Sequence, residues 1–364
     1  MLQLREIDFS PLGTGPWRAP ARPPISVLPH QCDCVVIGGG VTGWSSALSL
    51  TAYGADVVLL DRGFGQGSAC RSGGIVVGDT VVGPAPDFDR CEFDLRAWTE
   101  TYAPDLPFEW SGVLELERNA LLPAAPIDWY DAGVVRASGT VPGGTVDPAA
   151  LLGRLAAEAV RRGTRFVDGF HVETLDAHDG RAIVEGGGGR IKASRVLVAT
   201  DATATAAGFA PWPVRQFTVA LETTPLAVDQ IAQLGWSRQP FYTNGLPLLW
   251  GRVLPGGGML AGRELIPATG LDAGKLEQAI AAAGDRLFAR VRGLHPALRG
   301  IDRARVWAGP IARDERGIPA VHADPDVPCV IWAGGYGGHG LAQAFRLGAI
   351  AAARMIAYWS GSPT

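Results

Sequence analysis

The sequence predicts a two-domain α/β protein, one domain wound on a parallel sheet and the other an α+β domain with a mostly antiparallel sheet. Three observations predict it. Residues 33–62, DCVVIGGGVTGWSSALSLTAYGADVVLLDR, read as strand, glycine turn, helix and strand. A helix, AALLGRLAAEAVRRG, and a strand, TRFVDGF, follow Asp147, and the chain closes with CVIWAGG, YGGHG and the helix LAQAFRLGAIAAARMIAYW. Between these lie the strands FTVALETTP, LPLLWGRVL and GGMLAGRE with one helix, LDAGKLEQAIAAAGDRLFARV.

Taken in order, residues 1–31 hold six prolines between Pro11 and Pro29 and are expected to form an extended arm crossing the surface. The unit at 33–62 is Rossmann-like and suits the ADP half of a dinucleotide. Gly38 permits the sharp exit from the strand, Gly40 lets backbone approach a pyrophosphate, and Gly43 allows helix and strand to pack closely. The helix start at Val41 and Thr42 offers free N–H groups and a favourable dipole. Asp61, 23 residues after Gly38, sits where a carboxylate accepts from ribose hydroxyls. Residues 81–140 are expected to form short sheet segments. The strand RVLVATDA (195–202) returns the chain to the first domain. The domains are therefore read as discontinuous: 32–80, 141–212 and 326–364 for the cofactor, and 81–140 with 213–325 for the substrate.

Composition bounds the alternatives. A chain of 364 residues exceeds one comfortable core. With 19% charged residues and a net charge of −4, it offers no basic tract for nucleic acid or an anionic membrane. Only Lys192 and Lys275 are lysines, so guanidinium groups are the default holders of a carboxylate. Five cysteines, with Cys32 and Cys34 two apart, make neither a disulfide framework nor a zinc pattern. No metal site is expected, and free thiols point to a reducing compartment. No run of about 20 apolar residues marks a membrane span or signal core, so a cytoplasmic protein is expected.

Two further glycine-rich segments remain, GQGSACRSGGIVVGD (65–79) and GGYGGHGLAQAF (334–345). The first lies just beyond the ADP unit and suits backbone passing close to the second half of a cofactor. The second opens a helix whose N-terminus stabilises negative charge.

These pieces together resemble the FAD-dependent amine and amino-acid oxidoreductases of the D-amino-acid oxidase superfamily, in the sarcosine oxidase, glycine oxidase and gamma-glutamylputrescine oxidase branch. SACRSGG (68–74) is similar to that branch's Ala-Ser-Gly-Arg-Asn-Gly-Gly loop. RVLVATDA is similar to its Val-Val-x-Ala-Thr-Gly-Ala strand, with Asp201 in place of glycine, and GYGGHGL (335–341) to its Gly-x-x-Gly-His-Gly turn. The resemblance implies FAD contacts from Arg62, Ser68, Arg71, Ser72, Gly73 and Gly74. It implies further contacts from Val172, Thr200, Ala202, Gly338, His339, Gly340 and Leu341. LWGRVLPGGGMLAGRE (249–264) is similar to the family's substrate-side hairpin. That makes Arg252 and Trp250 substrate candidates, with Tyr242 and Tyr336 as further aromatic candidates.

The departures are informative. Trp307 stands where monomeric sarcosine oxidases attach FAD to cysteine, so FAD is expected to be non-covalent. Pro310 and Ile311 follow Gly309 where relatives place a carboxylate-binding arginine, leaving Arg313 as the nearest guanidinium. Neither lysine is placed to activate dioxygen, so dioxygen and another electron acceptor both remain open. The expected reaction is oxidation of a small amine or amino acid by hydride transfer to FAD, giving an imine. Oxidation of a hydroxy acid is the alternative within the same scaffold. A non-catalytic NAD(P)-binding regulatory protein is the alternative of another class, but it leaves the other glycine-rich segments without purpose.

Overall fold

The computed structural model describes residues 2–6, 8–77, 88–119, 127–178, 180–206, 212, 214–268, 271–324, 327 and 329–359. Continuous apolar runs build its first sheet. Residues 35–37, 57–60 and 196–198 are buried on both faces, as a parallel sheet covered on both sides requires. Five strands run parallel in the spatial order Val330–Gly334, Gly189–Val198, Gln31–Ile37, Val57–Asp61 and Arg165–Asp168. Antiparallel pieces extend this centre into a mixed sheet of ten strands: the hairpin Val172–His178 with Arg181–Gly186, the strands Leu2–Glu6 and Ala204–Ala206 beyond it, and the strand Ala320–Ala323.

The first helix, Val41–Tyr53, packs tightly on the last, Gly340–Trp359, because small residues meet at the crossing. A Cβ on Gly348 would lie 2.5 Å from the Thr42 carbonyl oxygen, and the Ser46 hydroxyl donates to the Gly348 carbonyl at 2.8 Å. This is why so Gly- and Ala-rich a terminal segment returns to the first domain. The helix Pro148–Arg161 starts at Asp147, whose carboxylate accepts the amides of Ala149 and Ala150.

The second sheet has eight strands, in the order Arg303–Arg313, Val214–Pro225, Gly258–Pro267, Trp250–Val253, Phe241–Asn244, Val113–Arg118, Val134–Val141 and Trp129–Tyr130. Its pairs are antiparallel except Phe241–Asn244 with Val113–Arg118. Alternation gives each strand two faces. Leu114, Leu116, Leu221, Phe241 and Met259 pack against Leu287 and Val291 of the helix Ala273–Gly293. The opposite face carries Val113, Tyr242, Trp250 and Trp307 and turns toward the first domain.

Two expectations are corrected. The arm does not merely cross the surface: Leu2–Glu6 is a strand paired with Val172–His178 and Ala204–Ala206. Leu12 is fully buried beside Phe217 and Ala308, and Trp17 packs near Trp307 and Leu260. Apart from one 3-10 turn at Ser10–Leu12 the Pro-rich stretch is extended, and its apolar residues anchor it inside. Within 81–140, expected as sheet, Phe88–Tyr102 is a helix. Cys91, Leu95 and Trp98 form its buried stripe at helical spacing, a period the Pro- and Trp-containing residues after 106 obscure.

Candidate cofactor and substrate site

The glycine turn is shaped by what each position must avoid. Gly38 has φ +106°, and a Cβ there would lie 2.8 Å from the Ala199 carbonyl oxygen. A Cβ on Gly43 would lie 1.9 Å from the Gly38 carbonyl oxygen, so only glycine fits. Gly40 caps the first helix without a side chain and has open space in front of it. The first intrahelical bond is donated by Trp44 to the Gly40 carbonyl, which leaves the amides of Val41, Thr42 and Gly43 without an intrahelical acceptor. A cleft beside this turn brings together five sequence candidates: Gly38, Asp61, Arg62, Val172 and Thr200.

Asp61 organises the turn directly. Its Oδ1 accepts from the Gly63 amide at 2.7 Å and its Oδ2 from the Gly39 amide at 2.5 Å. Gly39, absent from the sequence candidates, is as constrained as its neighbours, since a Cβ there would lie 2.9 Å from that carboxylate. Phe9 of the arm also lines the cleft, and the Arg62 and Arg71 guanidiniums lie 4.4 and 5.3 Å from its ring centroid. Nothing in the glycine spacing could reveal an aromatic residue so distant in sequence.

The second glycine-rich segment is clamped from outside. The Ser68 hydroxyl donates to the Pro310 carbonyl at 2.9 Å, and the Arg71 guanidinium donates to the carbonyls of Gly13 at 2.8 Å and Ala308 at 3.1 Å. Arg71 therefore ties arm, loop and sheet together. Trp17 and Trp307 donate from their indole nitrogens to the carbonyls of Ser72 and Arg71, at 2.8 and 2.9 Å. A Cβ on Gly73 would lie 2.4 Å from the Trp250 ring, and Gly74, at φ +68°, turns the chain into the next strand.

In the third segment the Tyr336 phenol and the Thr42 hydroxyl are 2.6 Å apart, so the two glycine turns are braced against each other. Tyr336 is thus a brace between turns and not a free substrate contact. Asp201, at φ +48°, accepts the Gly335 amide at 2.7 Å. Burial raises its carboxyl to about 6, against backbone bonds from Gly335, Ala202 and Tyr336 that lower it. Ala202 is fully buried behind it. His339 precedes the last helix, and burial pushes its imidazole down to about 4, so it is neutral at pH 7. Gly338 faces open space, while Gly340 and the buried Leu341 start the helix.

The sheet face that meets these turns carries a row of cross-strand neighbours: Glu115, Tyr242, Trp250, Gly262, Ala220 and Trp307. The Trp250 ring covers Gly262, where a Cβ would lie 2.0 Å from it, and reaches Gly73. Arg252 lies on the same face but is buried. Its Nη1 donates to the carbonyls of Gly74 at 2.9 Å and Val146 at 3.2 Å, and its Nε has no hydrogen-bond partner. Burial lowers its pKa to about 10, opposed by the nearby charges of Glu109 and Asp147. Arg252 therefore latches the backbone of the cofactor loop through Nη1. Arg313 is half-buried beside Gly337, 3.6 Å from where a Cβ on that glycine would reach, with a long 3.3 Å bond to the Asp314 carbonyl. Eight residues separate Arg313 from Arg305, which shares a cross-strand line with Arg252, so the two candidates lie roughly 25 Å apart along the sheet.

Open space before Gly40, unpaired helix-start amides, and a carboxylate at the end of the second strand fit the ADP half of FAD. The fold and this cradle define a dinucleotide-binding protein. The chain belongs to the DAO family, described as FAD dependent oxidoreductase, which matches residues 33–354. Glycine oxidase from Geobacillus kaustophilus superposes with a TM-score of 0.68 at 16% identity, covering 92% of this chain and 96% of that one. L-Proline dehydrogenase from P. horikoshii superposes equally well, 0.68, at 20% identity over 93% and 96%. A probable oxidoreductase, OrdL, from Rhizobium meliloti is 25% identical over 228 residues, which span 50% of this chain and 52% of that protein. FAD is held without a covalent bond. Trp307 stands where the sequence resemblance puts the attachment cysteine of monomeric sarcosine oxidases, and burial pushes the Cys70 thiol up to about 12, far from thiolate.

Proposed function

We propose that the protein oxidises the C–N bond of a small amine or amino acid to an imine, which water then hydrolyses to a carbonyl compound and an amine or ammonia. The observation that carries this reading is the contact of Trp250 with Gly73, where the aromatic row of the second sheet meets the cofactor loop. Structural similarity to an oxidase of glycine and a dehydrogenase of proline supports it. Bound FAD supplies the acceptor for two electrons. The chain supplies position: Trp250 and Tyr242 present the aromatic face against which the substrate is held beside the cofactor loop. A neutral amine needs no strong base, and no histidine among the described residues belongs to the aromatic row, which disfavours the hydroxy-acid alternative. The final acceptor is dioxygen or another oxidant. Among the described residues, no helix is long and apolar enough to cross a membrane.

The test is anaerobic bleaching of the flavin against secondary amines, D- and L-amino acids and polyamine derivatives. Bleaching by at least one amine class supports the reading, and none by any class contradicts it. Acid precipitation separates the cofactor question: a colourless pellet is expected, and a yellow pellet would mean a covalent bond.

A further inference from the structure

We propose that Glu115 is a recognition site for a second cationic group on the substrate, so that the preferred amine carries an additional ammonium or guanidinium; this rests on the amine-oxidation reading above. Glu115 lies on the strand Val113–Arg118. Leu114 and Leu116 point to the helix-covered side, and Glu115 shares with Val113 the face turned to the first domain. Its Oε1 accepts from the Tyr242 phenol at 3.1 Å and from the Asn244 side-chain amide at 3.1 Å, and its Oε2 lies 3.5 Å from the Ser138 hydroxyl. All three donors are neutral. Among the described residues no cation pairs with this half-buried carboxylate. Arg136, on the adjoining strand opposite Glu117, is paired with Asp128 at 3.4 Å.

Asp131, just past the edge strand Trp129–Tyr130 two strands away, shows what a carboxylate fixed for structure looks like. It is buried between the guanidiniums of Arg118 and Arg290. Glu115 has the orienting hydrogen bonds but not the counter-charge. A half-buried carboxylate of this kind pairs strongly with an incoming cation because its geometry is already set. The π faces of Tyr242 and Trp250 add to the attraction. Register places Tyr242 opposite Glu115 and Trp250 opposite Tyr242. Glu115 is therefore two strand spacings, about 10 Å, from the ring that meets Gly73. After allowance for side-chain reach, roughly five to seven bonds between the two nitrogens span that gap.

The experiment compares α,ω-diamines of four to six carbons with n-alkylamines of equal chain length, and lysine with norleucine, on the flavin-loaded protein. Dissociation constants come from perturbation of the flavin spectrum, and reduction rates from anaerobic stopped flow. The wild type is expected to bind the doubly cationic member at least about tenfold more tightly, the scale of one charge-assisted bond. Glu115→Gln, which keeps an oxygen for Tyr242 and Asn244, is expected to abolish that preference while leaving the singly charged member unchanged. Tyr242→Phe is expected to reduce it severalfold. Equal binding of both members by the wild type, or a preference that survives Glu115→Gln, overturns the proposal even if amines still reduce the flavin. A preference that Glu115→Gln removes, without reduction by any amine, upholds the cation site and overturns the amine reading instead.

Discussion

The cofactor cradle and the sheet face that meets it are held by different parts of the chain. In the cradle, backbone meets backbone: the Gly38 carbonyl against Gly43, the Ala199 carbonyl against Gly38, and the Thr42 carbonyl against Gly348. On the sheet face, side chains meet backbone or one another: Trp250 on Gly73, Arg252 on the Gly74 carbonyl, Tyr242 on Glu115. The cradle therefore tolerates almost no added atom. The face can exchange side chains, and with them its chemistry, while the fold stays intact.

The sharpest way to break this comparison is one methyl group. In Gly43→Ala the new Cβ meets a carbonyl that belongs to the strand exit and cannot yield, so a loss of about 3 kcal/mol or more is expected, with loss of flavin. Tyr242→Phe, a change on the face, is expected to leave the melting temperature within a few degrees. Thermal melts with flavin content on both variants check this, and equal damage would end the distinction.

Asp61→Ala is expected to come next. It removes two bonds to backbone amides as well as any to ribose, each charge-assisted contact contributing about 1.5–3 kcal/mol. FAD retention through dialysis is the readout, and unaltered retention would contradict the assignment.

A smaller effect separates the two arginines. Arg313→Ala, six residues along the strand from Trp307 and so about 20 Å from the aromatic row, is expected to leave KM for a carboxylate-bearing substrate within about twofold, with flavin binding unchanged. Arg252→Ala is expected instead to loosen the loop, lowering melting temperature and flavin retention more than substrate affinity. The reverse pattern would return Arg252 to the role its place in the sequence suggests.

That reversal shows how far the sequence reaches. The three glycine segments are legible because backbone geometry admits few residues there, and the structure places Gly38, Asp61, Val172 and Thr200 around one cleft. The roles of Arg71, Arg252 and Tyr336 are not legible, because a long side chain chooses its partner in three dimensions. Arg71 reaches Gly13, and Tyr336 reaches Thr42 nearly three hundred residues away. The buried turns of the Pro-rich arm and the cation-free setting of Glu115 depend on the same long-range packing.

The smallest expected effect concerns Asp201. Its carboxyl is held near 6 in the folded chain, above its ordinary value, so the folded state binds the extra proton. Stability should therefore fall as pH rises from about 4 through 6 and level off above that. Asp201→Asn keeps an acceptor for the Gly335 amide without the charge. It is expected to flatten that slope and to gain about 1 kcal/mol at pH 8. Melting curves across this range check it, and an unchanged slope would show that the group does not titrate there.

The most direct test of the whole account is the anaerobic reductive half-reaction with an amino acid and the 2-hydroxy acid of the same carbon skeleton, followed at the flavin absorption band. The amino acid is expected to bleach the flavin and the hydroxy acid to leave it oxidised. Bleaching by the hydroxy acid alone would contradict it.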